Sequence, residues 1–114
     1  EYIDEHIRAL DSLHKPLVIE EFGYPRTAQS LRCGDDAAGR DIFYRAILDL
    51  VPQRKVDGVN FWGWGGEAVP ESSRWTPGSP YVTDPAHEPQ GWYSVFNSDT
   101  TTVSVIRNAA SRCR

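Results

Sequence analysis

The stretch Lys15-Pro16-Leu17-Val18-Ile19-Glu20-Glu21-Phe22-Gly23-Tyr24-Pro25 runs an apolar segment straight into two carboxylates and then into a turn. A charge held against an apolar segment is costly unless it is paired or used. Glu20 and Glu21 are therefore candidates for nucleophilic or acid–base work. A carboxylate at the carboxyl end of a parallel strand is where α/β barrels hold their chemistry. The bland alternative is a pair of solvated acids at a strand end. A second stretch, Gly58-Val59-Asn60-Phe61-Trp62-Gly63-Trp64-Gly65-Gly66-Glu67, ends an apolar segment in large aromatics set among glycines. Aromatic faces stack on the C–H faces of sugar rings, and glycine lets a ligand approach the backbone. Side-chain alternation places Asn60, Trp62 and Trp64 on one strand face, with Val59 and Phe61 on the other. Ordinary packing is the competing reading for both tryptophans.

These groups need a scaffold, and the patterning supplies one. Ile3, Ile7 and Leu10 recur at helical spacing, which predicts an amphipathic helix over about residues 1–13, closed at Pro16. Leu17–Phe22 reads as a strand covered on both faces. A polar loop with Pro25, Gly34 and Asp35-Asp36 follows. Ile42, Phe43, Ala46, Ile47, Leu50 and Val51 predict a second helix ending at Pro52. Val56–Trp64 is the second strand. Residues 65–93 form a long loop rich in Gly, Pro, Ser and Trp, and loops of that length are usually functional. Ser98-Asp99-Thr100 offers N-cap chemistry to a third helix with the stripe Val103, Ile106, Ala109 and Ala110.

The order is α-β-α-β-α. Strands joined by single helices pair in parallel with right-handed crossovers, so the fold class is α/β. Two strands apolar on both faces expect neighbours that these residues do not supply. A (β/α)8 TIM barrel takes about 250 residues, so the expectation is the C-terminal portion of one catalytic barrel over residues 1–114, preceded by one helix and with no separate second domain.

Composition bounds the function. The 114 residues are 39% hydrophobic and 25% charged, as in a globular domain. A net charge of −4 argues against nucleic acid as a partner. No segment is apolar for long enough to span a bilayer. Cys33 and Cys113 lie far apart with no CxxC partner and are expected to be free thiols, with no metal site built on them.

The run Ile19-Glu20-Glu21-Phe22-Gly23-Tyr24-Pro25 resembles the seventh-strand nucleophile motif of family 5 glycoside hydrolases, and Glu21 holds the nucleophile's place. Gly58–Gly66 resembles the eighth strand of that family, where a Trp floors the sugar at the cleavage point. Trp62 is the matching residue, with Trp64 beside it. Asp84-Pro85-Ala86-His87-Glu88-Pro89-Gln90-Gly91-Trp92-Tyr93-Ser94-Val95-Phe96-Asn97-Ser98-Asp99 resembles the stretch after the last strand in the endo-β-1,4-mannanases of the family, those of Bacteroidetes especially. The resemblance covers about residues 15–107. It implies retaining, endo-acting hydrolysis of β-1,4-mannosidic bonds in mannan, glucomannan or galactomannan, without metal or organic cofactor. A related β-1,4-glucanase is the neighbouring alternative, and a non-catalytic carbohydrate-binding or structural barrel fragment is another.

On this reading Arg26 pairs with Glu20 or reaches a sugar hydroxyl. His87 and Glu88 contact substrate, or form a solvated loop pair. Trp75 and Tyr81 form an outer sugar platform or pin the loop. His6 and His14 are remote from the site. The family also uses an acid/base Glu in an Asn-Glu pair at the fourth strand. No Asn-Glu dipeptide occurs here, and Glu67 sits in the wrong place for that role. The implied partners are a β-mannan-type polysaccharide and the N-terminal part of the barrel, without which the 114 residues are expected to be inactive. The implied location is secreted, periplasmic or at a bacterial cell surface.

Overall fold

A computed structural model describes residues 1–53 and 55–113. Helix α1 spans Tyr2–Asp11, α2 spans Ala38–Leu48 and α3 spans Thr100–Ser111. The strands are short: β1 Val18–Ile19, β2 Gly58–Val59, β3 Trp64–Gly66 and β4 Val95–Phe96. β1 and β2 pair in parallel, with Val18 opposite Gly58 and Ile19 opposite Val59. β3 and β4 form a second parallel pair. The α/β class and parallel pairing match the sequence reading. The second strand expected over Val56–Trp64 is broken: Gly58–Val59 pairs with β1, whereas Trp64 begins β3, which pairs with β4, a strand the sequence reading does not contain.

Backbone bonds extend the β1–β2 pairing beyond the strands themselves. Asp57 N donates to Leu17 O, Asn60 N to Ile19 O and Trp62 N to Phe22 O. Between the last two bonds, three steps along the first segment face two along the second, an irregularity of the β-bulge kind at Glu20-Glu21. A bulge re-aims side chains, and it falls where the phase of the two acids has to be decided.

The core lies between α2, α3 and β4. Tyr44, Leu48, Val95, Val105 and Ala109 are buried there, with Phe22, Val59 and Phe61 packed against them. The ring of Phe22 meets Tyr44 edge-on at 5.0 Å between centroids. This corrects the expected face of α2. Its buried stripe is Arg40, Tyr44 and Leu48, one residue every four, whereas Ile42 is 67% exposed and Ala46 is exposed as well. The stripe was chosen by apolar type, and the helix instead turns its arginine and tyrosine inward because both find hydrogen-bond partners there.

The other flank is open. α1 buries none of its residues, and Val18, on a strand expected to be covered on both sides, is 46% exposed. The radius of gyration is 15.6 Å, against about 13 Å for a compact domain of this length. Among the described residues, no helix is long and apolar enough to cross a membrane. Cys33 and Cys113 are unpaired.

Candidate active site

Glu21 and Trp62 open on one cavity of about 450 Å³, lined also by Phe22, Gly23, Pro85, Glu88 and Tyr93. Local chemistry brings them together. The Trp62 N–H donates to Phe22 O at 2.7 Å, which sets Trp62 beside the residue that follows Glu21. Gly23 is required by this closeness. A Cβ on it would sit 2.9 Å from Trp62 O and 3.1 Å from the Tyr93 ring, nearer than side chains tolerate. Glu20 is exposed and does not line this cavity. Among the described residues it makes no ion pair, so the expected cation partner is not seen there.

The far wall belongs to the loop 84–94, and a buried polar frame holds it. Asp84 is 3% exposed. Its carboxylate accepts from Gly91 N at 2.8 Å, Tyr93 N at 2.7 Å and Ser94 Oγ at 2.5 Å. The Gln90 amide nitrogen donates to the carbonyls of Asp84, Pro85 and Glu88. Glu88 and Tyr93 therefore project into the cavity from a turn fixed at both ends. The Tyr93 ring packs on Trp92, 4.6 Å between centroids.

Beneath the loop lie Arg26, Arg40 and Asp99, with side chains wholly buried. Arg26 Nε donates to Asp99 Oδ1 at 2.8 Å and Nη1 to Gly91 O at 2.8 Å. Arg40 Nε donates to Tyr24 O at 2.8 Å and Nη2 to Trp92 O at 3.2 Å. Both guanidinium groups also donate to Ser94 O. The two arginines thus tie the segment after Glu21 to the loop that carries Tyr93. Burial and the neighbouring Arg26 guanidinium push Arg40 below its ordinary value, and Asp99 opposes them. Burial likewise raises the Tyr44 hydroxyl well above the usual tyrosine range; that hydroxyl donates to Trp62 O at 3.4 Å.

Several sequence expectations change here. Arg26 neither pairs with Glu20 nor reaches the cavity, because its donors are spent on Asp99, Gly91 and Ser94 inside the protein. Asp99 is the N-cap residue of α3, but its side chain makes no cap bond. It accepts from the two arginines and from Phe96 N instead. Trp64 does not share a cavity with Trp62. It is 50% exposed on β3, which leaves the β1–β2 pairing after Trp62 and pairs with β4 instead. His87 is exposed, lies outside the Glu21 cavity and approaches Glu88 only at 4.0 Å.

The sequence reading gives no role to Tyr93, Asp84 or Arg40 and assigns Arg26 and Asp99 to other tasks than the frame they form. For Arg40 a signal existed: an arginine in register with Tyr44 and Leu48 at fourfold spacing marks a buried, partnered cation. Asp84 carried no local signal, since its partners follow it by seven to ten residues.

A family described as glycoside hydrolase family 5, β-mannosidase-like, matches residues 1–114. The crystal structure of a family 5 mannosidase from Rhizomucor miehei superposes with a TM-score of 0.82 at 31% identity, covering 98% of this chain and 30% of that one. A variant of the Rhizomucor miehei mannosidase in complex with mannosyl-fructose gives 0.77 at 29% identity, over 97% and 30%. The endo-β-1,4-mannanase of Thermotoga petrophila gives 0.61 at 27% identity, over 96% and 20%. The chain therefore spans under a third of the length of these structures. No curated protein matches it.

Proposed function

We propose, since this chain belongs to the β-mannosidase-like glycoside hydrolases of family 5, that it supplies the nucleophile and one wall of a retaining active site for β-1,4-mannosidic bonds. The observation that carries the reading is the single cavity shared by Glu21, Trp62, Glu88 and Tyr93. The Glu21 carboxylate attacks the anomeric carbon as the glycosidic C–O bond breaks. A second carboxyl group, contributed by the rest of the barrel, protonates the leaving oxygen. That group then takes a proton from water, and the hydroxide so formed displaces Glu21. Trp62 stacks on the ring at the cleavage point. Glu88 accepts hydrogen bonds from sugar hydroxyls. The partner is the N-terminal part of the barrel, and the 114 residues alone turn over no substrate. A polysaccharide substrate places the complete enzyme outside the cytoplasm.

Endo-acting cleavage of mannan, glucomannan or galactomannan is the reading carried from the Asp84–Asp99 stretch. Exo-acting cleavage is favoured by the β-mannosidase-like family description and by the higher TM-score of the Rhizomucor miehei mannosidase. Products from linear mannan separate the two: mixed oligosaccharides from the start mean endo, and mannose alone means exo. The nucleophile is tested by replacing Glu21 with Ala in the complete enzyme, with Glu20→Ala beside it. Near-wild-type turnover in Glu21→Ala would sink the assignment.

A further inference from the structure

The backbone changes neighbours at Trp62-Gly63. Trp62 N donates to Phe22 O at 2.7 Å, on the β1 side, whereas Gly63 O accepts from Val95 N at 2.9 Å, on the β4 side. Among the described residues neither pairing supplies a donor to the carbonyl between them, Trp62 O. The donor comes from the core instead: the Tyr44 hydroxyl, at 3.4 Å. Tyr44 is 0% exposed and belongs to the cluster of Leu48, Val95, Val105 and Ala109. A phenylalanine would fill that place as well, and a buried hydroxyl costs free energy unless it is bonded. The Tyr44 ring also meets Phe22, the residue after Glu21, at 5.0 Å and Phe61, the residue before Trp62, at 5.8 Å between centroids. One side chain thus touches both segments that meet at the cavity, yet it does not line the cavity itself.

We infer that Tyr44 is a positioning residue for sugar cleavage: its hydroxyl holds the Trp62 carbonyl from the core and so fixes the indole relative to Glu21. Phe22 O holds the N–H of Trp62 and Tyr44 holds its C=O, which anchors the peptide planes on both sides of the Trp62 Cα. With both planes fixed, the direction of the Cα–Cβ bond is set, and with it the place of the ring in the cavity. Gly23 closes on the same carbonyl, where an added Cβ would come within 2.9 Å. A shift of this peptide is therefore passed to the segment that carries Glu21. The inference rests on the reading of the Glu21 cavity as the sugar-cleaving site, and it adds a residue that acts on the reaction without touching the substrate.

The test uses the complete enzyme and mannotetraose. Tyr44→Phe keeps the ring in the core and removes the bond to Trp62. It lowers kcat/KM about tenfold, within what a misplacement of about 1 Å caused away from the chemistry can cost. In a Trp62→Ala background the same change costs less than about twofold, because the group it positions is gone. Unchanged kcat/KM in Tyr44→Phe overturns the proposal. So does an equal loss in both backgrounds, which would mean that the hydroxyl supports the core as a whole. A second readout needs no turnover. The Trp62 indole N–H resonance, identified by its loss in Trp62→Ala, shifts in Tyr44→Phe while those of the other tryptophans stay in place. An unmoved Trp62 resonance refutes the inference. If the wild type cleaves no β-mannoside, the reading of the Glu21 cavity fails on its own, and the resonance still decides whether Tyr44 positions Trp62.

Discussion

Asp84 and Asp99 lie buried under the loop 84–94, each carboxylate surrounded by donors. Glu21 and Glu88 belong to the same small region yet open on a cavity. Among the described residues Glu21 has no ion-pair partner, and Glu88 has only the exposed His87 at 4.0 Å. A buried carboxylate survives only with its lone pairs satisfied, and the frame meets that condition; no buried side-chain polar atom lacks a partner among the described residues. The cavity acids do not meet it from within the chain, so their oxygens are available to a ligand. One pair of acids holds the loop in place; of the other, Glu88 is carried by that loop and Glu21 lines the same cavity from the segment after β1.

Substitutions can break this contrast, beginning with the largest effect. Glu21→Gln in the complete enzyme lowers turnover by about four orders of magnitude, or about 5.5 kcal/mol of transition-state stabilisation, while the urea midpoint stays within the range of a surface change, about 0.5 kcal/mol. A large loss of stability instead would place Glu21 in the frame rather than at the chemistry. Asp99→Asn leaves two buried guanidinium groups without their counter-charge. The expected loss is about 3–5 kcal/mol, read by chemical denaturation. A loss under 1 kcal/mol would show that Ser94 and the backbone carbonyls suffice for both arginines.

Asp84→Asn keeps the shape but replaces one acceptor oxygen with a donor. It should cost about 1–3 kcal/mol and weaken kcat/KM together with stability, because Tyr93 and Glu88 are displaced with the loop. Unaltered activity at reduced stability would uncouple the frame from the cavity. The smallest effect marks the lower bound of the comparison. Arg112 pairs with Asp49 at the surface, with 49% and 29% side-chain exposure, so Arg112→Ala should change stability by no more than about 1 kcal/mol in low salt, and less as salt is raised.

The contrast between the flanks has the same physical root. α2 and α3 close around Tyr44, Val95 and Val105, which is core enough to be legible as two helices. The apolar residues of α1 and Ile19 of β1 are only partly covered, and Val18 on β1 and Ile42 on α2 are exposed. The apolar strands call for neighbours that these residues do not supply, whereas Ile42 is placed on the inner stripe of α2 by its type alone. Type states only a preference for burial, and the chain's own contacts leave these positions partly open.

The sequence by itself determined the three helices, the parallel α/β order and the two segments that meet at the cavity, Glu20-Glu21 before Phe22-Gly23 and Trp62 before Gly63. These are local properties: period, turn residues and the side-chain types at a strand terminus. Only the tertiary structure decided which acid faces Trp62, because continuous apolar strands carry no phase and a bulge sets it. Only the structure withdrew Arg26 from the site and turned Asp99 from a helix cap into the partner of two cations. It also brought Tyr93 and Glu88 opposite Glu21, an arrangement built from bonds between residues up to 73 positions apart in the chain, which no window of sequence contains.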